Sequence, residues 1–493
     1  MKLTRIFLVL AGCVLFFGIE ACKPDEGPDD PVPPVIPTDT FDINSIVDDY
    51  SAISDPVNAL KWGSYNVHDP SIFKSGEYYY CYNTDVAWGH EVKPGIQIRR
   101  SKDLVEWKFM GWVFDNIPAM GAQFIEGKGG EPFQSLWAPY AMKVGDEYRL
   151  YYSLTCSLPR LSMIGLATAS HPLGPWTEKG LVVTSINNST RQTNAIDPTV
   201  VVTPSGEHWF YYGSAWDGIY MLQLDPATGL AANPGTKGRR VAQRGFTGST
   251  INGNIEGPEV VYNADFGKYY MFIAYDWLQT KYNTRVGRSD NPDGPFYDIN
   301  GNDMNIAQDD VPMIIAPYKF AQHSGWQGVA HCAVFNDGNG QWYMAHQGRP
   351  GFNSYFMHLH VRKMYWTEDG WPLVSPERYA GLEQTAVTES EIAGKYEQIV
   401  LGYRVVPGFD QEQTSPDFQV STETTLGADG SINGDASQSW SWNAPWLTLN
   451  WNGGWVDKLY VERGRDWERK VPSTLIMTGL NNESTAIWLK KIE

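Results

Sequence analysis

The sequence predicts an all-β protein in which a five-bladed β-propeller precedes a small C-terminal β-barrel. Three observations support this prediction: the composition, a unit that repeats five times, and a change of pattern after Leu382. The 493 residues include 20 Trp, 27 Tyr, 48 Gly and 31 Pro. Aromatic and turn residues at this density are typical of many short strands joined by tight turns. A chain of this length also exceeds what one hydrophobic core usually organises.

The repeat unit consists of a short β-rich stretch, a polar turn and a strand dense in aromatic residues. The five units begin at His68, Trp137, Asp197, Glu256 and Ala330. Turn pairs such as Ser75-Gly76 and Asp337-Gly338 mark hairpins within them. Successive units start roughly 60 to 75 residues apart, which is enough for a four-stranded sheet with its loops. Residues 45–381 are therefore predicted to form the five-bladed propeller.

The second domain is predicted over residues 382–493. Short alternating strands continue from the segment IAGKYEQIVLGYRVV to the final TAIWLKKIE. This pattern fits a small β-barrel. The run SWSWNAPWLTLNWNGGW alternates like a half-buried strand pair and is interpreted as barrel core, with a ligand-binding face as the alternative.

The N-terminus carries an export signal. Lys2 and Arg5 precede an apolar run, 6–19, that is too short for a transmembrane helix. The residues that follow, Ile-Glu-Ala-Cys, resemble a bacterial lipobox that ends at Cys22. Residues 1–22 are therefore predicted to be a lipoprotein signal peptide with Cys22 as the lipidated residue, a plain signal peptide being the alternative.

The segment that follows the signal is a tether. Residues 23–44 are rich in Pro and acidic side chains and cannot bury a core. We expect an exported bacterial lipoprotein at the outer membrane and cell surface, or else a periplasmic or secreted protein. The membrane would be contacted through the lipid anchor only.

Charge and cysteine content exclude several classes of protein. The formal net charge is −18 and no basic cluster follows a phosphate backbone, so nucleic acid is excluded as a partner. Cys81, Cys156 and Cys332 form neither a disulfide framework nor a zinc-ligand pattern. No organic cofactor is expected, and the sequence does not indicate a protein partner.

The residues that open the repeat units are the candidate functional groups. In a propeller the first strand of each blade lies beside the central axis, so its opening residue faces one mouth of the channel. Asp69, Asp197 and Glu256 open three of the units, and Trp137 and His331 open the other two. An Asp-Pro pair also starts turns. Three acids at equivalent positions nevertheless favour catalysis, because gathered carboxylates raise one another's cost of ionisation.

Paired carboxylates across a channel suit glycosidic bond cleavage. One acid protonates the leaving oxygen, and one base activates a water molecule. Carboxylates on opposite blades would leave room for that water, with separations of about 6.5 to 9.5 Å, and this arrangement predicts inversion at the anomeric carbon.

The motifs HDPS, RRSKDLVEWKFMG, NAIDP, YYGSAWDGI and IEGPEVV resemble glycoside hydrolase family 43. Within it the chain resembles extracellular endo-α-1,5-L-arabinanases with a lipocalin-like C-terminal domain. The resemblance implies Asp69 as general base, Asp197 as pKa modulator and orienter, and Glu256 as general acid. It also implies that a Ca²⁺ ion on the propeller axis faces His331, largely through water. The substrate contacts that it implies are Trp137, Asn194, Ser214 and Trp216.

Three functions remain open from the sequence. The first is hydrolysis of internal α-1,5-L-arabinofuranosidic bonds of arabinan, a pectin side chain. The second is an exo-acting α-L-arabinofuranosidase or β-xylosidase of the same fold. The third is a non-catalytic surface glycan-binding protein. Loop shape decides between a groove and a pocket, and sequence does not show it.

Overall fold

The fold is described from a computed structural model, which describes residues 41–247, 250–251, 253–306, 311–402 and 413–493. The predicted signal peptide, with Cys22, and the tether up to residue 40 lie outside these residues. Within the described residues, no helix is long and apolar enough to cross a membrane.

Four of the repeat units fold as separate four-stranded antiparallel sheets with their strands in chain order. The first sheet contains β1 (Ser71–Ser75), β2 (Tyr78–Asn83), β3 (Gln97–Ser101) and β4 (Lys108–Trp112). The second contains β5 (Trp137–Val144), β6 (Glu147–Thr155), β7 (Ser162–Ala169) and β8 (Thr177–Ser185). The third contains β9 (Thr199–Val202), β10 (His208–Tyr212), β11 (Ile219–Leu224) and β12 (Arg239–Ala242). After a hairpin of β13 (Phe246–Thr247) and β14 (Thr250–Ile251), the fourth contains β15 (Ile255–Asn263), β16 (Lys268–Tyr275), β17 (Asn283–Ser289) and β18 (Met313–Ile315).

The fifth unit belongs to a larger sheet of seven strands. Six of them are β19 (Tyr318–Lys319), β20 (Trp326–Gln327), β21 (Ala333–Asn336), β22 (Trp342–Pro350), β23 (His358–Trp366) and β24 (Pro372–Val374). The all-β class and the propeller are confirmed. Five separate four-stranded blades were expected, but only four separate four-stranded sheets are found among the described residues of the propeller. The reason is the length of β22: it pairs with β21 over its first residues, and its end at Arg349 and Pro350 pairs with β20.

Apolar cores lie between neighbouring sheets and close the ring. The cluster that joins the first and fifth units contains Val67, Ile72, Tyr79, Cys81, Leu104, Trp107, Ala333, Phe335, Tyr343, Ala345, Leu359 and Val361. Cys156 and Cys332 lie in two other clusters of this kind. All three cysteines are buried and free, so they act as small apolar side chains.

Short helical segments lie outside the sheets. Three 3₁₀ segments precede β1, at Ile43–Ser45, Ser51–Ile53 and Pro56–Lys61. The helix α1 (Ala119–Gly127), which the repeat pattern does not predict, packs closely on the second sheet. A Cβ added at Gly121 would meet the Met163 sulfur at 2.7 Å. Before the barrel, α2 (Glu389–Ile392) begins with a capping box from Thr388.

The C-terminal region forms the predicted barrel. Its strands are β25 (Gly394–Val400), β27 (Thr422–Leu426), β28 (Ser431–Ile432), β29 (Asp435–Asn443), β30 (Trp446–Asn450), β31 (Val456–Asp466), β32 (Val471–Asn481) and β33 (Ala486–Lys491). The short strand β26 (Gln419–Val420) does not belong to the barrel: it pairs with β19 and is the seventh strand of the large sheet. The barrel closes because β25 pairs with β33. Its interior holds buried side chains such as Tyr396, Leu447 and Met477, so it is a packed core.

A buried ion cluster joins the barrel to the propeller. The Lys490 ammonium, on β33, lies 2.7 Å from Glu377, 3.0 Å from Asp466 and 2.6 Å from Glu468. Glu377 follows the last propeller strand, and the ammonium also lies 3.9 Å from the ring centroid of Phe320. Burial would lower the pKa of Lys490, but the carboxylates outweigh it and raise that pKa. The two domains accordingly belong to one compact unit.

Removal of this ammonium should destabilise the whole protein. Lys490→Met leaves three buried carboxylates without their cation, and breaking a buried pair in this way costs about 3 to 5 kcal/mol. The measurement is the free energy of unfolding by urea or heat. Lys102→Met is the matched control, because Lys102 pairs with Glu77 at 3.0 Å but in an exposed position. Equal effects of the two substitutions would contradict the role of the cluster.

Candidate active site

One residue at the head of each repeat unit has a left-handed backbone. These residues are Asp69, Ala138, Asp197, Gly257 and His331, with φ of 51°, 32°, 61°, 58° and 53°. Such angles are uncommon for residues other than glycine and persist only when the surroundings hold them. The prediction that Trp137 and Glu256 are equivalent to Asp69, Asp197 and His331 is therefore corrected by one position in both cases, since Ala138 and Gly257 are the equivalent residues. A register shift follows Glu256 in β15, and another follows Trp137 in β5.

Hydrogen bonds between units hold four of these five heads in place. In each case the backbone N–H of the head residue donates to a side chain of the preceding unit around the ring. The bonds run from Ala138 to Thr84 Oγ1 (2.7 Å), Asp197 to Ser153 Oγ (3.2 Å), Gly257 to Asp197 Oδ2 (3.1 Å) and Asp69 to Gln347 Oε1 (3.2 Å). The last bond links the fifth unit to the first. The strained heads are thus part of the inter-blade contacts.

Asp69 is a buried carboxylate that two imidazole rings and a hydroxyl group surround. Its Oδ1 lies 3.0 Å from His331 Nδ1, and its Oδ2 lies 2.6 Å from His68 Nδ1. The Thr84 hydroxyl donates to Oδ2 at 2.6 Å. Burial would raise the pKa of Asp69, but the two imidazoles outweigh it and hold that pKa well below its usual range. Asp69 is therefore the ionised carboxylate of the site.

Asp197 has the opposite electrostatic environment. The pKa of Asp197 is raised well above its usual range, first by burial and then by the nearby Glu256 and Asp69, although His331 acts against this rise. Its Oδ2 accepts the N–H of Gly257, the residue that follows Glu256. The site therefore holds two carboxyl groups with divergent proton affinities.

Glu256 is the more accessible acid. It is partly exposed, whereas Asp69 and Asp197 are buried. Its Oε1 accepts the Tyr282 hydroxyl at 2.7 Å, and its Oε2 accepts the Ser214 hydroxyl at 2.7 Å. Two hydroxyl groups therefore fix the orientation of the carboxyl group. Tyr282 lies between β16 and β17 and has no motif that would have identified it from the sequence.

His331 lies against the three acids and close to the backbone of the fourth unit. A Cβ added at Gly257 would meet His331 Nδ1 at 2.8 Å, so only glycine allows this approach. Burial would lower the pKa of His331, but Asp69 and Asp197 raise it to about 10. The imidazole offsets part of the repulsion between the carboxylates.

The predicted substrate contacts lie beside these acids. Trp137 is half-buried, donates from Nε1 to Ser135 Oγ at 2.7 Å, and precedes Ala138. Asn194 forms an isolated bridge with Ser214, which in turn bridges to Glu256. Because the Ser214 hydroxyl bonds to Glu256, its first role is to position that side chain. Trp216 follows two residues later.

The axis offers few protein ligands for a metal ion. Of the described residues, only Glu377, Asp466 and Glu468 form a three-ligand group, and the Lys490 ammonium lies among them. Ca²⁺ prefers six to eight oxygen ligands. His331 Nδ1 faces Asp69, which leaves Nε2 as the ring nitrogen for a metal. The residues at the axis therefore fit an ion that is held through one imidazole and otherwise through water.

A second set of bonds joins the units deeper in the channel, around Glu259. This buried side chain accepts the Thr199 hydroxyl of the third unit at 2.9 Å and the Val334 N–H of the fifth unit at 3.2 Å. Burial raises the pKa of Glu259 to about 7. The bonded carboxyl group links three units, and its ionisation above that pH would weaken the folded state.

Glu259 should make stability depend on pH. Its pKa is about 7 in the fold and 4.5 as the reference value, so its contribution is complete below about 4.5 and is lost as pH rises through 7. A shift of this size corresponds to at most about 3 kcal/mol. In Glu259→Gln the free energy of unfolding should therefore fall less between pH 5 and pH 8 than in the wild type. Glu77→Gln, at an exposed position, is the control. Equal pH slopes in all three proteins would refute this assignment.

Comparison with known proteins identifies both domains. The family model of glycosyl hydrolases family 43 matches residues 63–372, and that of the C-terminal lipocalin-like domain matches residues 376–489. An extracellular endo-α-(1→5)-L-arabinanase of Thermotoga petrophila is 27% identical over 487 residues, which cover 90% of this chain and 96% of the relative. An extracellular exo-α-(1→5)-L-arabinofuranosidase of Cellvibrio japonicus is 27% identical over 324 residues, which cover 63% of this chain and 86% of the relative.

Solved structures are similar over the same extent. A crystal structure of endo-1,5-α-L-arabinanase from Thermotoga petrophila superimposes with a TM-score of 0.74 at 25% identity. The superposition covers 88% of this chain and 99% of that chain. The family model alone spans more than half of the sequence and includes every candidate acid. The chain therefore belongs to family 43 of the glycosyl hydrolases.

Proposed function

We propose that the protein is an endo-α-1,5-L-arabinanase, which hydrolyses internal α-1,5-L-arabinofuranosidic bonds of arabinan. The observation that carries the proposal is the convergence of Asp69, Asp197 and Glu256 around His331, with Asp69 held ionised. The relatives that match the chain over both domains support endo action. Those from Thermotoga petrophila and Bacillus subtilis match 90% and 86% of the chain, and both are named endo-acting.

In this proposal Asp69 is the general base. Its low pKa keeps it ionised, so it can accept a proton from an attacking water molecule. His331, His68 and Thr84 fix both carboxylate oxygens and thereby aim the base. Water that Asp69 activates attacks the anomeric carbon directly.

Glu256 is the proposed general acid, and Asp197 keeps the role of pKa modulator and orienter. Glu256 is the acid that solvent and substrate can reach, and its carboxyl group gives a proton to the leaving oxygen. Asp197 contacts the amide of Gly257 and so fixes the backbone beside the acid. A single displacement of this kind inverts the anomeric configuration. Trp137, Asn194, Ser214 and Trp216 are the proposed substrate contacts.

Calcium is a further part of the proposal. His331 would hold a Ca²⁺ ion through Nε2 only as the neutral imidazole, so binding of the ion would release the proton that the neighbouring acids otherwise keep on the ring. Water would be the other ligand, and the ion would supply the positive charge beside the acids in place of the imidazolium. Metal analysis of the purified protein tests this: about one Ca²⁺ per chain is expected, and its absence in the His331→Ala variant would assign the ligand. If the substitution leaves the calcium content unchanged, the assignment of His331 as the calcium ligand is rejected.

The relatives named extracellular support export of this chain as well. We propose that the signal 1–22 directs it to the outer membrane, that Cys22 carries the lipid, and that 23–44 is the tether. The proposed domain limits are 45–381 for the propeller and 382–493 for the barrel. The run β21–β22–β23–β24 is the proposed fifth blade, since its head His331 has the same left-handed conformation as the other four.

Incubation of the mature protein with linear, debranched arabinan tests the function. A ladder of arabino-oligosaccharides at early times is expected from cleavage inside the chain, and chromatography over time measures it. Free arabinose alone would contradict endo action and support the exo-acting alternative. Retention on an arabinan gel without release of products would support the glycan-binding alternative.

Glu256→Gln should abolish this cleavage and leave binding intact. Loss of a general acid lowers kcat by about 10²- to 10⁴-fold. The side chain keeps its shape, so affinity for oligosaccharide, measured by calorimetry, should be nearly unchanged. Glu126→Gln, an exposed position on α1, is the matched control. Full activity of Glu256→Gln would overturn the assignment of the acid.

A further inference from the structure

A cleft lies where the barrel meets the outer part of the propeller. Its walls come from the end of β17, from the turn 367–371 after β23, and from the barrel strands β30 to β32. The volume of the cleft is about 860 Å³. Binding sites for small molecules commonly occupy about 300 to 1,000 Å³. The cleft is therefore large enough for several sugar rings.

Two tryptophans line the cleft. Trp371 is buried below it, and Trp446 forms a half-buried wall. The Trp446 ring lies 5.4 Å from that of Tyr460, which stacks on Tyr365 of the propeller at 3.9 Å. This aromatic contact fixes Trp446 against the propeller. The Lys458 ammonium lies over one face of this indole, 5.4 Å from the ring centroid. A sugar would stack its C–H groups on the indole in place of this ammonium or on the opposite face.

The charged side chains of the cleft balance one another. Lys458 lies 3.7 Å from Glu368, and Arg288 donates to the backbone oxygen of Asp369 at 2.5 Å. Two cations and two anions leave no net charge. The cleft therefore has no excess charge that would attract a phosphate or a cation. It does offer hydrogen-bond donors and acceptors to a neutral ligand with many hydroxyl groups.

The cleft is separate from the catalytic acids. Glu256 pairs with Ala274, which pairs with Thr284 on β17, whereas Arg288 lies four residues further along that strand. At about 3.3 Å per residue this places Arg288 roughly 13 Å below the level of Glu256. A ligand in the cleft therefore leaves the catalytic mouth free.

We propose that this cleft is a second binding site for a neutral, linear oligosaccharide, in which Trp446 stacks on a sugar ring. The identity of the ligand as an arabinan chain rests on the proposed function. A polymer held here stays near the catalytic mouth, and the raised effective concentration favours repeated cleavage of the same chain. The site would therefore raise the rate of cleavage of the polymer and leave the rate with short substrates unchanged.

The first test compares polymer with short substrate in the full chain. In Trp446→Ala, kcat/KM for linear arabinan should fall about three- to tenfold, the range that one aromatic stack supports. The rate with arabinotriose should stay unchanged. Trp455→Ala is the matched control, because Trp455 is 47% exposed, lies outside the cleft and belongs to the same barrel. Equal polymer rates for Trp446→Ala and the wild type would overturn the proposal.

The second test leaves the barrel unaltered. Hydrogen exchange is measured in the Glu256→Gln protein with and without a linear arabino-oligosaccharide of about six residues. Protection of the turns 367–371 and 481–485 is expected, in addition to the segments that carry Trp137, Asn194 and Ser214. Protection of the segments beside the catalytic acids alone would reject the cleft as a site. If the wild type does not cut arabinan, the proposed function is rejected. Hydrogen exchange at the two turns does not depend on cleavage, so it tests the cleft separately from the proposed function.

Discussion

The structure of the site depends on the left-handed backbone at the heads of the repeat units and on the hydrogen bonds that hold it. A chain turned in this way at each head directs the neighbouring side chains toward one axis. The amide of Asp69 bonds to the fifth unit, and that of Gly257 bonds to Asp197. The hydrogen bonds that join the units into a ring are therefore also the bonds that hold the acids together. Repulsion between the gathered carboxylates would oppose it, and His331 offsets this repulsion from within the cluster.

The two domains divide the work. The propeller carries every candidate acid, and the interior of the barrel is filled by its own side chains. A filled barrel can act through its outer surface and its contacts. The buried Lys490 cluster holds it against the propeller, and the aromatic contact of Tyr460 with Tyr365 extends that interface to the cleft at Trp446. The barrel thereby contributes to a surface that neither domain forms alone.

Much of this arrangement could be predicted from the sequence because the units repeat. Asp69, Asp197 and His331 were identifiable as heads of units, and their convergence follows from propeller geometry. Tyr282 was not identifiable, because it reaches Glu256 only through the three-dimensional fold. The one-residue offset of Glu256 goes with a register shift in β15. The prolines mark it in the sequence, because Gly257 precedes Pro258 as Asp69 precedes Pro70 and Asp197 precedes Pro198. The large sheet of the fifth unit could not be predicted from the sequence, because it forms where β22 extends beyond the end of β21.

The central claim is a single displacement in which Asp69 activates water and Glu256 protonates the leaving oxygen. Proton NMR of the first products from a linear arabino-oligosaccharide tests it most directly, because the anomeric signal is recorded before mutarotation. The account predicts that the new reducing end first appears in the inverted, β configuration. A first product in the retained, α configuration would require a covalent intermediate on the enzyme and would contradict the mechanism.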